Sequence, residues 1–291
     1  MDCSHAQSKD EAELRLHAGW HEQLRGATMS NARFCIESIA PRRTLVIAAL
    51  CTLVFACGSD KNAAITGTTT GTTGTISANA PAFYQAFGNG TSVSVDGNFV
   101  VVTSKNVPDH KSPYFGRTSA KYEAYNGTNP QFSINSNSIV ESQLVLRIPV
   151  TPTRLNTPSP TPLGPIGIAI NGVAIFNQYA GNAQPLTGEI NSFDQYNGHP
   201  APNGEYHYHV EPVYLTRTSR EALVGVLLDG YPVYGPMENG ALVQSSSLDA
   251  AHGHIRATKE FPAGVYHYHT TSDAPYINGS GFAGTPGTVV H

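Results

Sequence analysis

The pattern of apolar and polar positions along the chain predicts short strands rather than helices. Apolar and polar residues alternate over residues 92–95, an apolar run follows at 99–102, and Asp96-Gly97-Asn98 lies between them. A period of two is typical of β-strands, and an Asp-Gly turn signal between two such runs predicts a hairpin. Residues 140–150 are another strand candidate, and few stretches have a helical period. The pattern therefore predicts an all-β fold with few helices.

Two segments, at about residues 164–209 and 222–269, repeat the same order of patterns. Each begins with two apolar runs around an Asn-Gly or Asp-Gly turn, at 167–176 and at 225–234. Each continues with Asp-x4-His, at 194–199 and 249–254, and ends in Tyr-His-Tyr-His, at 206–209 and 266–269. Recurrence in one order indicates an internal duplication. We expect a single domain over residues 81–291, sandwich or barrel-like, whose two halves pack face to face about a pseudo-twofold axis.

Composition and charge narrow the class of protein. Only 13% of the 291 residues are charged, against roughly 25% in ordinary soluble proteins, while Gly 28 and Pro 20 indicate many turns. The formal net charge is −4 and no cluster of Lys or Arg is present. We therefore expect no nucleic-acid partner.

The first 56 residues predict export. Residues 44–56 form an apolar run behind Arg42 and Arg43, as in an export signal, and the run is shorter than the about 20 residues that span a bilayer. A small residue before Cys57 resembles the lipobox of bacterial lipoproteins, so we expect a lipid on Cys57. A plain secretory signal cleaved near Ala56 is the alternative. Residues 1–28 precede Met29 and are expected to reflect a mis-assigned start.

The expected mature chain begins with a tether. Residues 57–80 are rich in Thr, Gly, Ser and Ala, a composition that cannot bury a core. Cys3, Cys35 and Cys51 lie in the part that the signal would remove, so the mature domain has no disulfide. We expect a lipoprotein of the bacterial cell envelope that faces the periplasm or the cell surface and contacts the membrane only through its lipid.

Histidines are concentrated in the repeats, where seven of the chain's 12 lie between residues 194 and 269. In a strand, alternate side chains share a face, so the two histidines of each Tyr-His-Tyr-His can bind one metal ion. A third histidine from the Asp-x4-His element completes a set that suits zinc or copper and leaves one position open. The predicted ligands are His199, His207, His209, His254, His267 and His269.

Several features of this predicted site stay open at the level of sequence. Asp194 and Asp249 are expected either as fourth ligands or as acceptors that fix the imidazole tautomer, and His252 is a further candidate ligand. The two halves hold either two separate sites or one shared cleft. Without a metal, the same pattern would be a ladder with Tyr in the core and His on the wet face. Duplication of the whole element favours at least one metal site.

Three classes of function are compatible with these residues. The first is an envelope protein that binds zinc or copper in order to store, sense or pass on the metal. The second is a metal-dependent hydrolase or oxidase that uses the open position, although no catalytic residue stands out. The third is a surface module that binds a partner without a metal.

Four segments resemble the bacterial YHYH domain family, which is named after the tetrapeptide at 206–209 and 266–269. They are residues 106–110, 164–176, 194–199 and 229–235, and the resemblance covers roughly residues 94–284. It implies one domain and adds His110 as a possible ligand. Tyr196 and Ala251 stand near positions where many relatives are expected to have cysteine. The resemblance names a domain and implies no particular reaction.

Overall fold

The structure is a computed structural model that describes residues 74–290. The predicted signal, the lipidation at Cys57 and most of the predicted tether lie outside these residues. Within them, one short α-helix and four 3-10 helices occur, and none of the helices is long and apolar enough to cross a membrane. The α-helix α1 is Val213–Thr216, and the 3-10 helices are Ala82–Ala86, Gly181–Ala183, Glu189–Ser192 and Ser245–Ser247.

Short strands form the rest of the regular structure, as the sequence predicted. In chain order they are β1 (Ser92–Asp96), β2 (Phe99–Ser104), β3 (Leu144–Pro149), β4 (Arg154–Ser159), β5 (Pro165–Ala169), β6 (Ala174–Phe176), β7 (Tyr179–Ala180), β8 (Gln184–Pro185), β9 (Gly198–Pro200), β10 (Tyr206–Tyr208), β11 (Leu223–Leu227), β12 (Pro232–Tyr234), β13 (Met237–Glu238), β14 (Ala241–Leu242), β15 (Gly253–Arg256), β16 (Val265–His269), β17 (Phe282–Gly284) and β18 (Thr288–Val290).

The duplicated segments build one eight-stranded sheet with the order β15-β16-β12-β11-β5-β6-β10-β9. Each half contributes a hairpin, β5-β6 or β11-β12, and an antiparallel pair, β9-β10 or β15-β16, which joins the hairpin in parallel. The two halves meet where β5 pairs antiparallel with β11. The expectation that the halves pack face to face is therefore wrong, because they lie side by side in a single sheet.

The central strands explain this side-by-side arrangement. All five residues of β5 and all five of β11 are buried, so each strand suits the middle of a sheet covered on both faces. Pairing β5 with β11 also satisfies backbone groups that would otherwise form two open edges. Gly167 and Gly225 permit the close approach of β5 and β11. A Cβ added at Gly167 would lie 2.5 Å from the Val226 carbonyl oxygen, and one added at Gly225 would lie 2.3 Å from the Ile168 carbonyl oxygen.

A second sheet covers one face of the first. Strands β1-β2-β3-β18 form it, and β1 and β2 are the hairpin predicted at residues 92–102. Burial alternates along β2 and β3, and their inward residues, such as Val102 and Leu146, share one core cluster with Ile168 and Val226 of the large sheet. The all-β prediction with few helices is confirmed. Among the described residues the sheets stack and do not close into a barrel.

Two segments are ordered although their composition does not favour regular structure. The Pro-rich stretch at 156–165 contains part of β4, which among the described strands pairs with β17 alone, and such an edge position tolerates proline. At the end of the predicted tether, Ile76 bridges Val93 and Ala80 is buried in the core. Packing against strand β1 therefore orders the last residues of the predicted tether, although their composition predicted no ordered structure.

Candidate metal centres

A capped turn delivers the first histidine of each half. The Asp194 carboxylate accepts the backbone N–H groups of Tyr196 at 2.9 Å and Gly198 at 3.3 Å, and Asp249 accepts those of Ala251 and Gly253 at 3.0 and 3.1 Å. The residue before each glycine, Asn197 or His252, is left-handed, with φ of 65° or 74°. Both turns therefore lead into a strand that begins Gly-His.

Strand pairing then brings the histidines together. His199 of β9 is the register partner of His207 in β10, and His254 of β15 is the partner of His267 in β16. His209 and His269 lie two residues further along, on the same face as their neighbours. Each half therefore presents three imidazoles from two adjacent strands.

The tyrosines of the repeat point to the other face and are held by acidic or amide side chains. Tyr206 donates to Asp194 at 2.8 Å and Tyr266 donates to Asp249 at 2.9 Å. Tyr208 accepts from the Asn171 amide at 3.1 Å, and Tyr268 donates to Asp229 at 2.6 Å. The two aspartates that were considered as metal ligands thus cap turns and anchor tyrosines, away from the histidine clusters.

The first cluster comprises His199, His207 and His209, all at most 3% exposed. The Nε2 atoms of His199 and His207 are 3.1 Å apart, and those of His207 and His209 are 2.9 Å apart. The Nδ1–H of His207 donates to the Glu205 carbonyl and that of His209 to the Asn177 carbonyl, at 2.9 and 2.6 Å.

The tautomer of His199 is fixed by Ser192. The Ser192 hydroxyl donates its only proton to the Glu189 carbonyl at 2.7 Å, so it must accept from His199 Nδ1 at 2.8 Å. All three Nε2 atoms of the first cluster therefore carry lone pairs and no proton in the neutral state. Backbone carbonyls and a hydroxyl therefore fix the tautomers here, which was one of the two roles expected for Asp194 and Asp249.

The second cluster adds a carboxylate to the three histidines. The Nε2 atoms of His254, His267 and His269 lie 3.1 to 3.2 Å from one another. Glu238 Oε1 is 3.3, 3.5 and 4.0 Å from the same three nitrogens, in that order, and has no hydrogen-bond partner although it is buried. Glu238 Oε2 is used separately, by an ion pair with Arg256 at 2.7 Å.

In the second cluster, backbone carbonyls fix two of the three rings through Nδ1, as they do for His207 and His209 in the first. His267 donates to the Val265 carbonyl at 3.1 Å and His269 donates to the Gly235 carbonyl at 2.8 Å. A carbonyl can only accept, so both rings keep an unprotonated Nε2 when neutral.

Burial keeps the imidazoles neutral. It lowers the pKa of His199 to about 3, with the neighbouring His209 adding to the effect, and it lowers the pKa of His209 and His269 to about 4. The pKa values of His207, His254 and His267 are lowered as well, chiefly by burial. Neutral imidazole is the form that binds metals.

The carboxylate of the second cluster is ionised. Burial by itself would raise the pKa of Glu238, but the charge of His254 when that ring is protonated and the charge and hydrogen bond of Arg256 outweigh that effect, so the pKa is lowered. The second cluster therefore combines three neutral nitrogens with one negative charge.

The spacing of the nitrogens matches that of ligands on one ion. Three imidazole nitrogens bound to Zn²⁺ at about 2.0–2.1 Å are separated by about 3.3–3.4 Å at tetrahedral angles and by about 2.9 Å at right angles. The observed separations of 2.9 to 3.2 Å lie between these two values. Both clusters could hold a metal ion, with ligand atoms that all lie within 4.8 Å of one another.

The clusters are separate, which resolves the question that the sequence left open. Four strands lie between β10 and β16 in the sheet order, so the two histidine strands are roughly 24 Å apart at about 4.8 Å per strand spacing. The six leading candidates, His199, His207, His209, His254, His267 and His269, all fall into the two clusters.

Two lesser candidates lie elsewhere. His110 Nδ1 donates to the Lys111 carbonyl at 2.9 Å, and its Nε2 accepts from the Tyr208 hydroxyl at 3.0 Å, on the tyrosine face of the sheet. His252 Nε2 is 3.0 Å from the Thr271 hydroxyl. Neither ring belongs to a cluster of ligand atoms.

Sequence reasoning missed Glu238 and Glu189. Glu238 in β13 reaches the second cluster, and Glu189 Oε1 lies 3.4 Å from His199 Nε2 in the first. They occupy different places in the two repeats, so the duplication did not reveal them. The sequence nevertheless contained a signal, because charged residues are few in this domain. Glu238 follows shortly after the hairpin of the second half, and Glu189 shortly precedes the Asp-x4-His element of the first half.

These features define a class: an all-β protein with a duplicated sheet and two buried histidine clusters. The family model for the YHYH protein matches residues 145–243 and 236–281, which include both clusters. The matched residues belong to the YHYH protein family, and the resemblance noted from the sequence is confirmed. Residues 106–110 lie outside the matched part. A search of curated proteins and a search of solved structures each gave no match to the chain.

Proposed function

We propose that the protein binds one transition-metal ion, zinc or copper, in each half of its large sheet. The observation that carries this proposal is the convergence of three Nε2 atoms in each cluster, with fixed lone pairs on all three in the first cluster and on His267 and His269 in the second. Because the Nδ1 protons of these five rings are committed to carbonyl or hydroxyl oxygens, their Nε2 atoms have no proton with which to bond one another at 2.9 to 3.1 Å. A cation between them turns a repulsive contact into coordination.

Glu238 supports the same conclusion for the second cluster. Its buried Oε1 has no hydrogen-bond partner, and an orphaned buried carboxylate oxygen is costly. The oxygen faces all three nitrogens and completes a set of three nitrogens and one oxygen. Two nitrogens on opposite sides of a square-planar copper would be about 4 Å apart. No pair in the second cluster has that separation, which favours zinc there.

We further propose that the protein acts in the bacterial cell envelope as a lipoprotein anchored through Cys57. The support is the apolar run at 44–56 and the small residue before Cys57. In that setting the two sites would store, sense or pass on a metal. Cleavage before Cys57 and incorporation of radiolabelled palmitate by the wild type, and not by Cys57→Ser, test the anchor.

The metal content of the full chain, purified without a nickel column or chelator, tests the main proposal. We expect about two equivalents of zinc or copper in the wild type. His207→Ala/His209→Ala and His267→Ala/His269→Ala should each retain one equivalent. His110→Gln, which changes a buried histidine outside both clusters, is the matched control and should retain two.

Two results would contradict the proposal. The first is a folded wild type that neither contains metal nor takes up Zn²⁺ or Cu²⁺ on titration. The second is equal uptake by the wild type and a variant that lacks both histidine pairs. Either would direct attention to a partner bound without metal.

A further inference from the structure

The position above the three nitrogens differs between the two clusters. In the second cluster, Glu238 Oε1 lies within 4.0 Å of every Nε2, so it occupies the fourth position of a tetrahedron. In the first cluster, Glu189 Oε1 is 3.4 Å from His199 Nε2, but Glu189 is not in the group whose ligand atoms lie within 4.8 Å of one another. The carboxylate stands beside the first triad and leaves its fourth position free.

A cavity of about 370 Å³ adjoins the first triad. All three of its histidines line the cavity, and so does Glu189. None of the second cluster's ligands lines either this cavity or the one of about 320 Å³ beside His252. Of these two cavities, one adjoins the first triad and neither adjoins the second cluster.

The rest of the cavity wall is largely apolar. Leu163, Phe176, Pro200 and Pro202 contribute to it. Leu163 and Tyr179 belong to the few large apolar side chains of the described domain that are strongly exposed, at 55% and 41%, and both line this cavity. Exposed apolar residues around a concave polar centre are typical of a ligand site.

We infer that the first triad is a ligand-exchanging metal site, whose cavity admits a small organic molecule with an apolar body and one nitrogen or oxygen donor for the metal. The second cluster is a closed, four-ligand structural site. This inference rests on the proposed metal binding and assigns different roles to the two halves. A three-histidine set with a free position is the arrangement that leaves room for water or substrate, whereas four protein ligands are typical of structural zinc.

Glu189 has a place in this site as an acceptor. Its Oε2 is buried and has no hydrogen-bond partner. Beside a free coordination position, the Glu189 carboxylate can accept a hydrogen bond from a bound water. It can also accept one from a donor group of the molecule that displaces this water. It positions the ligand without binding the metal.

Cobalt(II) is the probe for this inference, because its visible spectrum reports ligand number and geometry. Each site is isolated in the full chain by a pair of substitutions in the other: His267→Ala/His269→Ala reports on the first site and His207→Ala/His209→Ala on the second. Each variant is loaded with cobalt alone, then titrated with azide, imidazole and 4-phenylimidazole.

We expect all three additions to change the spectrum of the first site and none to change that of the second. 4-Phenylimidazole should bind the first site at least tenfold more tightly than imidazole, because its ring enters the apolar cavity. Adding Ala201→Trp, which fills the cavity from its wall, should reduce that preference at least tenfold and leave cobalt binding and the azide response unchanged.

The outcomes separate the two proposals. If neither variant binds cobalt while both remain folded by circular dichroism, metal binding itself is wrong. If both bind cobalt and azide perturbs both spectra, or only that of the second site, the division of roles is wrong. If azide acts on the first site but 4-phenylimidazole binds no better than imidazole, the apolar ligand class is wrong.

Discussion

The two halves of the large sheet place their histidines alike and surround them differently. Phe176 stacks on His207 with ring centroids 3.9 Å apart, whereas its counterpart Tyr234 meets His267 edge-on at 5.2 Å. His199 is 3% exposed at its side chain and bonded to Ser192, whereas His254 is 15% exposed and faces Glu238. The first triad is enclosed by apolar rings beside a cavity, and the second is closed by a carboxylate.

The difference shows which features of a duplicated unit follow from the backbone. The carbonyls that fix His207 and His209 have equivalents that fix His267 and His269, because strand geometry determines where those carbonyls point. The carboxylates come from unrelated positions in the two repeats, Glu238 from the short strand β13 and Glu189 from the 3-10 helix Glu189–Ser192, both outside the strands that hold the histidines. The histidine strands therefore set the triad, and the segments between them set its fourth position.

The largest effect that we expect is stabilisation of each half by its own metal. At a zinc concentration a thousandfold above the dissociation constant, a site that only the folded state possesses stabilises it by about 4.1 kcal/mol. For a domain of this size, such a gain raises Tm by about 10 °C. Calorimetry of the two single-site variants, with zinc and after chelation, measures the gain for each half. If zinc raised the Tm of only one variant, the two triads would not be equivalent metal sites.

Substitution at the boundary between the halves, where β5 pairs with β11, should have the next largest effect on stability. Gly225→Ala puts a Cβ against the Ile168 carbonyl oxygen of the facing strand, and overpacking of this kind costs about 1–3 kcal/mol or more. Gly116→Ala is the control, since a Cβ there meets nothing within 4 Å. Urea unfolding compares the two. Equal midpoints would mean that β5 and β11 are not closely paired.

The buried hydroxyls of the two halves should differ in importance. Tyr268 donates to the buried Asp229 at 2.6 Å. Tyr268→Phe removes this hydrogen bond from a buried carboxylate and should lower the free energy of unfolding by about 2–3 kcal/mol. Tyr208 bonds only neutral groups, Asn171 and His110, so Tyr208→Phe should cost about 1 kcal/mol. Urea unfolding at pH 7 measures both. A larger loss for Tyr208→Phe would reverse the comparison.

His110 covers the tyrosine face of the first half and should make stability depend on pH. Burial lowers its pKa from 6.5, more than the nearby charges oppose. The unfolded state therefore binds the proton more readily, so the contribution of His110 to stability is present above pH 6.5 and is lost as pH falls below it. The ionisable groups that act on it are Asp194 and Asp109, which raise its pKa, and Lys121, which lowers it.

The variant His110→Gln isolates this smallest effect. Between pH 6.5 and pH 5, the metal-free wild type should lose up to about 1.4 kcal/mol per pH unit more than the variant. Urea unfolding of both proteins across this range gives the two slopes. Parallel curves would mean that His110 is not held neutral by its surroundings.

Much of the fold followed from local patterns. The hairpin at residues 92–102 was predictable because alternation and a turn signal act within a few residues, and β1 and β2 confirm it. The role of Asp194 was not predictable, since Asp-x4-His reads equally as a ligand set or as a capped turn. Only the distances from its carboxylate to Tyr206, Tyr196 and Gly198 distinguish the two.

By itself, the sequence determined the all-β class, the family, the duplication and the six histidines that form the clusters. These depend on short-range spacing, which the chain carries in its own order. The tertiary structure decided that the halves share one sheet through β5 and β11, that the clusters are separate, and that Glu189 and Glu238 stand beside them. Those features depend on contacts between segments that are distant along the chain, which packing of the whole domain selects and no local pattern encodes.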